Sequence, residues 1–454
     1  MKQLKRGLLT FCMVLIAAIT HAQTWTVVDT AGFSMGQSFT VQIVTYADTP
    51  YVVYEDAGDV NKAMVMKYNG SHWVQLGMGS ASSGWANYTS IAISKKGVPY
   101  IVYGDETYAG GRATVKKFNG LGWVYVGSIG FSSGAVSRPY IAIDTAGTPY
   151  VVYVDASLGS KAVVKKFNGT AWVTVGVEGF SAGAADYTCM AIDRSGTPYV
   201  LYEDGGNGSR ATVMTYNGTG WVAVGSAGFS AGAVNWTSIA VDTTGAPYVA
   251  YEDYGNGAKI TAMKYDGSSW ATVGSAGLSV DTSFATSITI DKNGVPYLGY
   301  EDGGLNGKAT AMKYDGSSWV TLGGAGFTDS VAYYTSLAIS DNGIAYMAFS
   351  DITKADRTTV MKYGFPAGVE NISKAATALS VFPNPNNGSF TLHISSPQKE
   401  TATITITNML GEKVKQFTVV TNANIAVQVD VTPGVYFVSA RTQNEIVTEK
   451  ILME

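Results

Sequence analysis

A Pro-Tyr pair recurs along the chain with its tyrosine at Tyr51, Tyr100, Tyr150, Tyr199, Tyr248 and Tyr297, and Ala345-Tyr346 completes the series. The spacing is 49 or 50 residues at every step. A second aromatic follows three residues later (Tyr54, Tyr103, Tyr153, Tyr202, Tyr251, Tyr300, Phe349), and an aspartate five residues later (Asp56, Asp105, Asp155, Asp204, Asp253, Asp302, Asp351). The chain therefore carries seven copies of one unit. A period of this length limits the fold sharply, because each copy is one supersecondary unit that must bury its apolar surface against its neighbours.

Within a unit the pattern predicts four short strands, in the fifth copy Thr237 to Asp242, Tyr248 to Asp253, Lys259 to Tyr265 and Trp270 to Val273. The third and fourth are joined in six copies by Asn-Gly or Asp-Gly (Asn69-Gly70 through Asp315-Gly316), residues that tolerate the positive φ of a tight hairpin turn. Strands apolar on both faces, such as Val249-Ala-Tyr251, suit a small sheet held between two others. Four-stranded sheets at this period are β-propeller blades. The fourth-strand tryptophan (Trp73, Trp123, Trp172, Trp221, Trp270, Trp319) is missing after Tyr363 and stands instead at Trp25. The N-terminal strand is thus expected to complete the last blade and close a seven-bladed ring, which leaves no open sheet edge.

Composition agrees with turn-rich β structure. The 454 residues include 53 glycines, with 12% aromatic and only 14% charged side chains, which excludes coiled coil and generic disorder. Lys2, Lys5 and Arg6 precede an apolar run from Leu8 to Ile19 and the small residues around Ala22, the pattern of an export signal over residues 1–22. No other stretch is long and apolar enough to span a membrane. Removing the signal takes three of the 30 basic residues and none of the 34 acidic ones, leaving about −7, which disfavours nucleic acid as a partner. Cys12 leaves with the signal, so Cys189 has no partner for a disulfide and reads as a small buried hydrophobe. With only His72 and His393 remaining, zinc sites and Ser-His-Asp machinery are nearly excluded. A monomer is expected.

The period runs over residues 23–364 and breaks at a linker, residues 365–378. Residues 379–454 then alternate as a second, small β domain, in Thr401-Ala-Thr-Ile-Thr-Ile-Thr and Val435-Tyr-Phe-Val. Four ordered motifs stand out: Val381-Phe-Pro383-Asn384-Pro385-Asn-Asn-Gly388, Asn408-Met-Leu-Gly411, Pro433-Gly434-Val-Tyr436, and a final Glu449-Lys-Ile-Leu. Together they resemble the C-terminal sorting domain of the type IX (Por) secretion system of Bacteroidota. The resemblance implies an immunoglobulin-like sandwich that binds the secretion machinery, addresses the protein through the outer membrane, is usually cleaved, and often leaves its cargo on the cell surface. The propeller repeats resemble no specific family closely.

Strand alternation puts the loop before each innermost strand and the loop after each Asp on one face. Twelve residues before each repeat tyrosine, at the channel mouth, stand Phe39, Tyr88, Arg138, Tyr187, Trp236, Ala285 and Tyr334. Aromatic faces interrupted by an arginine suit sugar recognition, with Glu203, Glu252 and Glu301 near enough to bond hydroxyls. Packing between blades is the competing reading. The evenly spread aspartates are expected to cap the following turns. Their loops, with the adjacent glutamates, offer oxygen ligands that leave calcium as an alternative, but lack the spacing of a calcium-binding hand, so no cofactor is assigned. The same face also suits a surface protein partner. A carbohydrate-active enzyme with paired carboxylates is a further alternative, although no pair stands out and the arginines do not cluster as a sialidase requires.

Overall fold

The computed structural model of the chain describes residues 23–364, 378–396, 399–409, 411–442 and 446–454. The expected export signal at 1–22 and the expected linker up to residue 377 lie outside the described residues. Two compact units divide near residue 366. No helix among the described residues is long and apolar enough to cross a membrane.

In the first unit the described residues form seven four-stranded antiparallel sheets. Six are built from consecutive strands; the fifth is Val234–Val241, Pro247–Asp253, Lys259–Tyr265 and Trp270–Thr272. The seventh takes Ala332–Ile339, Ala345–Asp351 and Arg357–Gly364, and Thr24–Val27 adds on the outside with Trp25 opposite Tyr363. Inner strands neighbour one another in chain order, and the seventh returns to the first. There Ser336 Oγ accepts from Ile43 N at 3.1 Å, while Val41, Val52 and Tyr54 share a core with Ala338, Tyr346 and Ala348. The result is a ring of blade-like sheets, the architecture of a β-propeller.

Each second strand feeds two cores because its side chains alternate between the faces of its sheet. Val249 and Tyr251 pack back on Leu201, Val213 and Cys189 of the fourth sheet, whereas Tyr248 and Ala250 pack forward on Leu298 and Tyr300 of the sixth. The fourth-strand tryptophans pin sheet to sheet. Each indole N–H donates to a carbonyl of the preceding sheet: Trp123 to Leu76 at 2.8 Å, Trp172 to Val126 at 2.7 Å, Trp221 to Val175 at 2.8 Å, and likewise around the ring to Trp25 on Leu322. A net value of about 0.5–1.5 kcal/mol per bond is supplemented by stacking, as between Trp221 and Phe180 at 4.4 Å.

The aspartates do cap. Asp56, Asp155, Asp204, Asp253, Asp302 and Asp351 each precede a short 3₁₀ turn and accept its backbone N–H, and Asp105 accepts from Tyr108 N at 2.9 Å. The Asn-Gly and Asp-Gly pairs differ from expectation. The connection is a four-residue loop in which only the glycine takes positive φ, +100° at Gly267. Asp266 keeps negative φ and accepts from Ser268 N and Ser269 N, both at 2.8 Å, an Asx turn in place of a two-residue hairpin.

The second unit has a three-stranded sheet (Ala378–Phe382, Ser389–Ser395, Asn424–Gln428) and a four-stranded sheet (Thr401–Asn408, Lys413–Val420, Gly434–Arg441, Ile446–Met453). Phe390, Leu392 and Ile394 of one meet Ile404, Ile406, Val438 and Ile451 of the other in one core. Pro383 and Pro385 both follow cis peptide bonds. Between them Asn384 donates to Lys450 O and accepts from Leu452 N, both at 2.9 Å, tying the first motif to the last strand. Gly388 sits at φ +90°, where a Cβ would strike Val429 O, and Gly411 sits at φ +80° in a turn closed on Asn408 O. Gly434 opens the strand bearing Tyr436, whose hydroxyl donates to Thr432 O at 2.8 Å.

Candidate functional site

The inner strands surround a cavity of about 510 Å³, lined by residues of all seven sheets, among them Tyr88, Arg138, Tyr187, Trp236, Ala285 and Tyr334. These residues were expected in the loop before the strand; instead the strand starts earlier, at Val234 in the fifth sheet, and runs through a β-bulge. The register against the second strand slips between Asn235 and Ser238, and correspondingly in every sheet. At each bulge one non-glycine residue takes the left-handed conformation: Thr40, Tyr88, Arg138, Tyr187, Trp236, Ala285 and Tyr334, with φ between 46° and 54°. That conformation is unfavourable for a residue with a Cβ by about 1 kcal/mol or more.

Neighbouring bulges compensate by bonding to one another. The threonine after the bulge donates to the bulge carbonyl of the preceding sheet: Thr188 to Arg138 O at 2.8 Å, Thr335 to Ala285 O at 2.9 Å, and Thr237 to Tyr187 O. In the first interval Glu55 accepts from Tyr88 N at 2.6 Å and Thr40 Oγ1 at 2.7 Å. The mouth is therefore a wired rim and not a set of free loops.

One expected member is misplaced. Phe39 lies one position before the first bulge, opposite Glu55, and Thr40 takes the mouth position. The inner hairpin of the first sheet is shorter, turning on Ala47-Asp48 alone, so counting back from Tyr51 overshoots by one. Phe39 packs edge-on to Tyr334 at 6.3 Å.

Arg138 organises the rim. Its guanidinium carbon is 4.1 Å from the ring centroid of Tyr187 and 5.5 Å from those of Tyr88 and Trp236, and Nε donates to Asp186 Oδ1 at 3.2 Å. Tyr187 and Trp236 are themselves 5.2 Å apart, tilted by 57°. Three aromatic rings around one cation form a polar-edged cluster. Asp186, which orients the arginine, was missed in the sequence because it occupies a position filled elsewhere by Asn87, Ser137, Asn235 or Tyr333.

Behind the rim, the second strands place Glu203, Glu252 and Glu301 at the level of Glu55, opposite Asp186, Asn235 and Phe284. Burial pushes all of them up. Glu252 rises to about 7 with Asn235 opposing, and Glu301 to about 7. Glu203 also rises through burial, with a hydrogen bond from Ser209 and the charge of Arg138 opposing. Oε2 of Glu252, 1% exposed as a residue, has no partner among the described residues. A carboxyl raised to about 7 is present in both protonation states near neutral pH, so it can donate or accept a hydrogen bond. No group of three or more potential metal ligands occurs among the described residues.

Residues 380–454 match the family model described as "Secretion system C-terminal sorting domain". Such a domain directs export to the cell surface or the extracellular space. No curated protein matches the chain. Among solved structures, the polysaccharide lyase Uly1 is 10% identical, covering 78% of this chain and 94% of its own, with TM-score 0.49. A polysaccharide lyase, ulvan lyase, bound to -[GlcA(1-4)Rha3S]-, is 14% identical, covering 74% and 96%, with TM-score 0.48. The six-bladed fucose-recognising lectin of Aleuria aurantia is 13% identical, covering 62% and 94%, with TM-score 0.45.

Proposed function

We propose that the chain is an exported glycan-binding protein: a seven-bladed propeller that takes its ligand at the Arg138 rim, followed by an immunoglobulin-like sorting sandwich. The observation that carries this reading is the seating of Tyr88, Arg138, Tyr187 and Trp236 on left-handed bulges. Aromatic faces gathered toward a wide cavity point to recognition, because the same bulge carries only Thr40 or Ala285 in other sheets and so does not itself need a large ring. Pyranose C–H faces stack on such rings while Arg138 serves hydroxyls; the part-exposed Glu203 stands behind it, and Glu252 and Glu301 are buried away from the cavity lining. A glycan array probed with the mature chain, with and without calcium, tests it. Binding that is lost in Trp236→Ala at unchanged thermal stability supports the lectin reading; binding to no glycan moves the weight to a protein partner on the same rim.

A second reading is a carbohydrate-active enzyme; it requires that Glu252 and Glu301, raised to about 7 by burial and absent from the cavity lining, become exposed to substrate. Release of oligosaccharide products that disappears in both Glu252→Gln and Glu301→Gln would establish it.

A further inference from the structure

Two further cavities lie at the other end of the sheets, where the second strands begin. One, of about 480 Å³, separates the first and second sheets; its walls include Tyr51, Lys67, Pro99, Tyr100 and Lys117. The next, of about 430 Å³, separates the second and third sheets and includes Tyr100, Lys117, Pro149 and Lys166. They are one cleft repeated. In each, the Tyr-Lys pair of one sheet faces the Gly-X-Pro turn, lysine and Asn-Gly loop of the next. Tyr100 and Lys117 belong to both.

The repeat alone would predict the same cleft at every junction, but the charges differ around the ring. Tyr and Lys stand directly opposite across the second and third strands at Tyr51/Lys67, Tyr100/Lys117 and Tyr150/Lys166. None of these three lysines has a carboxylate within ion-pair distance among the described residues. Lys67 and Lys166 lie over Tyr51 and Tyr150 at 5.5 and 5.9 Å, and the ring of Tyr100 carries no such cation. The adjoining loops end in neutral Asn119-Gly120 and Asn168-Gly169, where a Cβ on the glycine would meet nothing within 4 Å. Asp144 is the nearby acid, and its Oδ1 is occupied by Ala146 N and Thr148 N.

On the fifth sheet the same position is neutralised, and on the sixth the adjoining loop is acidic. Lys264 pairs with Asp242 at 3.2 Å, and the loops carry Asp266 and Asp315, held down at about 2 by backbone N–H bonds and hence ionised. At these two consecutive junctions unpaired lysines meet neutral Asn-Gly loops. Each offers two ammonium groups and a tyrosine within a volume that accommodates a sugar unit.

We propose that these junctions form a second binding site, distinct from the Arg138 rim, for an anionic polysaccharide whose carboxylate or sulfate ester groups pair with Lys67, Lys117 and Lys166. Adjacent clefts sharing Lys117 suit a chain carrying charge on successive units, since the second contact is made at high effective concentration.

The test is titration calorimetry of the mature chain with dextran sulfate, polygalacturonate and neutral dextran. The site predicts binding of at least one anionic probe, none of dextran, and weakening as salt rises to about 0.5 M. Which anionic probe binds separates sulfate from carboxylate recognition. Lys117→Glu should weaken binding by about tenfold or more, equivalent to about 1.4 kcal/mol. Lys117→Met, which keeps the stem and removes the charge, should weaken it in the same direction with the unfolding midpoint unchanged. Lys313→Glu on the sixth sheet should stay within about twofold. Failure of both anionic probes to bind, wild-type affinity in Lys117→Glu, or equal loss in Lys313→Glu would overturn the proposal without touching the rim.

Discussion

The indole nitrogen of Trp25 donates to the carbonyl of Leu322 at 2.7 Å, joining positions 297 residues apart. The same ring stacks on Phe327 at 4.0 Å with an interplanar angle of 7°. This is the bond every other sheet makes with its predecessor, supplied here by the N-terminal strand. It turns a row of sheets into a closed ring without a covalent link.

Closure by one short strand predicts unequal sensitivity. Trp25→Ala removes the hydrogen bond, the stack and the anchor of Thr24–Val27, and should destabilise the first unit by about 2–4 kcal/mol in urea unfolding. Deleting residues 23–28 should also bare the edge of Arg357–Gly364 and promote self-association, read by size-exclusion chromatography. A deletion variant that stays monomeric at wild-type stability would contradict the closing role of the strand.

Glu252 and Glu301 set a pH dependence. Burial raises both from 4.5 to about 7 in the folded chain, so the folded state holds protons that the unfolded state has released. Their stabilising contribution is full below about 4.5 and is lost as pH rises through 7. The unfolding free energy should therefore fall between pH 5 and 8 on this account, by an order of 1–3 kcal/mol for each residue. Glu252→Gln, which cannot ionise, should flatten the profile and be more stable than wild type at pH 8. Unchanged pH slopes in both Gln variants would remove the buried-carboxyl assignment.

Glycines in the repeat divide by what surrounds them. A Cβ on Gly232 would collide with the backbone of Gly255, whose Cα lies 2.7 Å away, because two loops of the fifth sheet touch there. Gly267 has φ +100° and nothing within 4 Å of a Cβ. Gly232→Ala should cost about 2–4 kcal/mol through displaced backbone, and Gly267→Ala about 1 kcal/mol through strain alone. Equal effects in chemical denaturation would show that the close loop approach does not govern the cost.

Much of this organisation was written in the period. The Pro-Tyr and Trp spacings locate strands and closure because packing between like sheets demands the same residue at the same place in every copy. The rim was legible in composition but not in geometry. Nothing in Tyr187-Thr188 or Trp236-Thr237 signals a left-handed bulge, since glycine is absent and the strain is met by bonds from another sheet. Thr40 was missed because a hairpin one residue shorter shifts the count, and Asp186 because its role exists in one copy only. The cationic clefts were only partly legible: Ser94 stands in the second copy where Asp242 pairs with Lys264 in the fifth, but Asp144 occupies that position in the third copy without pairing Lys166, which only the geometry shows.

The sorting motif makes a prediction that separates folding from export. Asn384 bridges Lys450 O and Leu452 N, both at 2.9 Å, so one side chain satisfies two backbone groups of the final strand. Asn384→Ala leaves both without that partner and should destabilise the second unit by about 1–3 kcal/mol. Asn384→Asp keeps the acceptor for Leu452 N but replaces the donor to Lys450 O with a second acceptor, and should fall at least as far. If the motif acts by fixing the last strand, both variants should be exported poorly in a type IX-competent host while the first unit keeps its wild-type unfolding transition. Full export of Asn384→Ala despite a destabilised second unit would instead place recognition by the machinery elsewhere in residues 380–454.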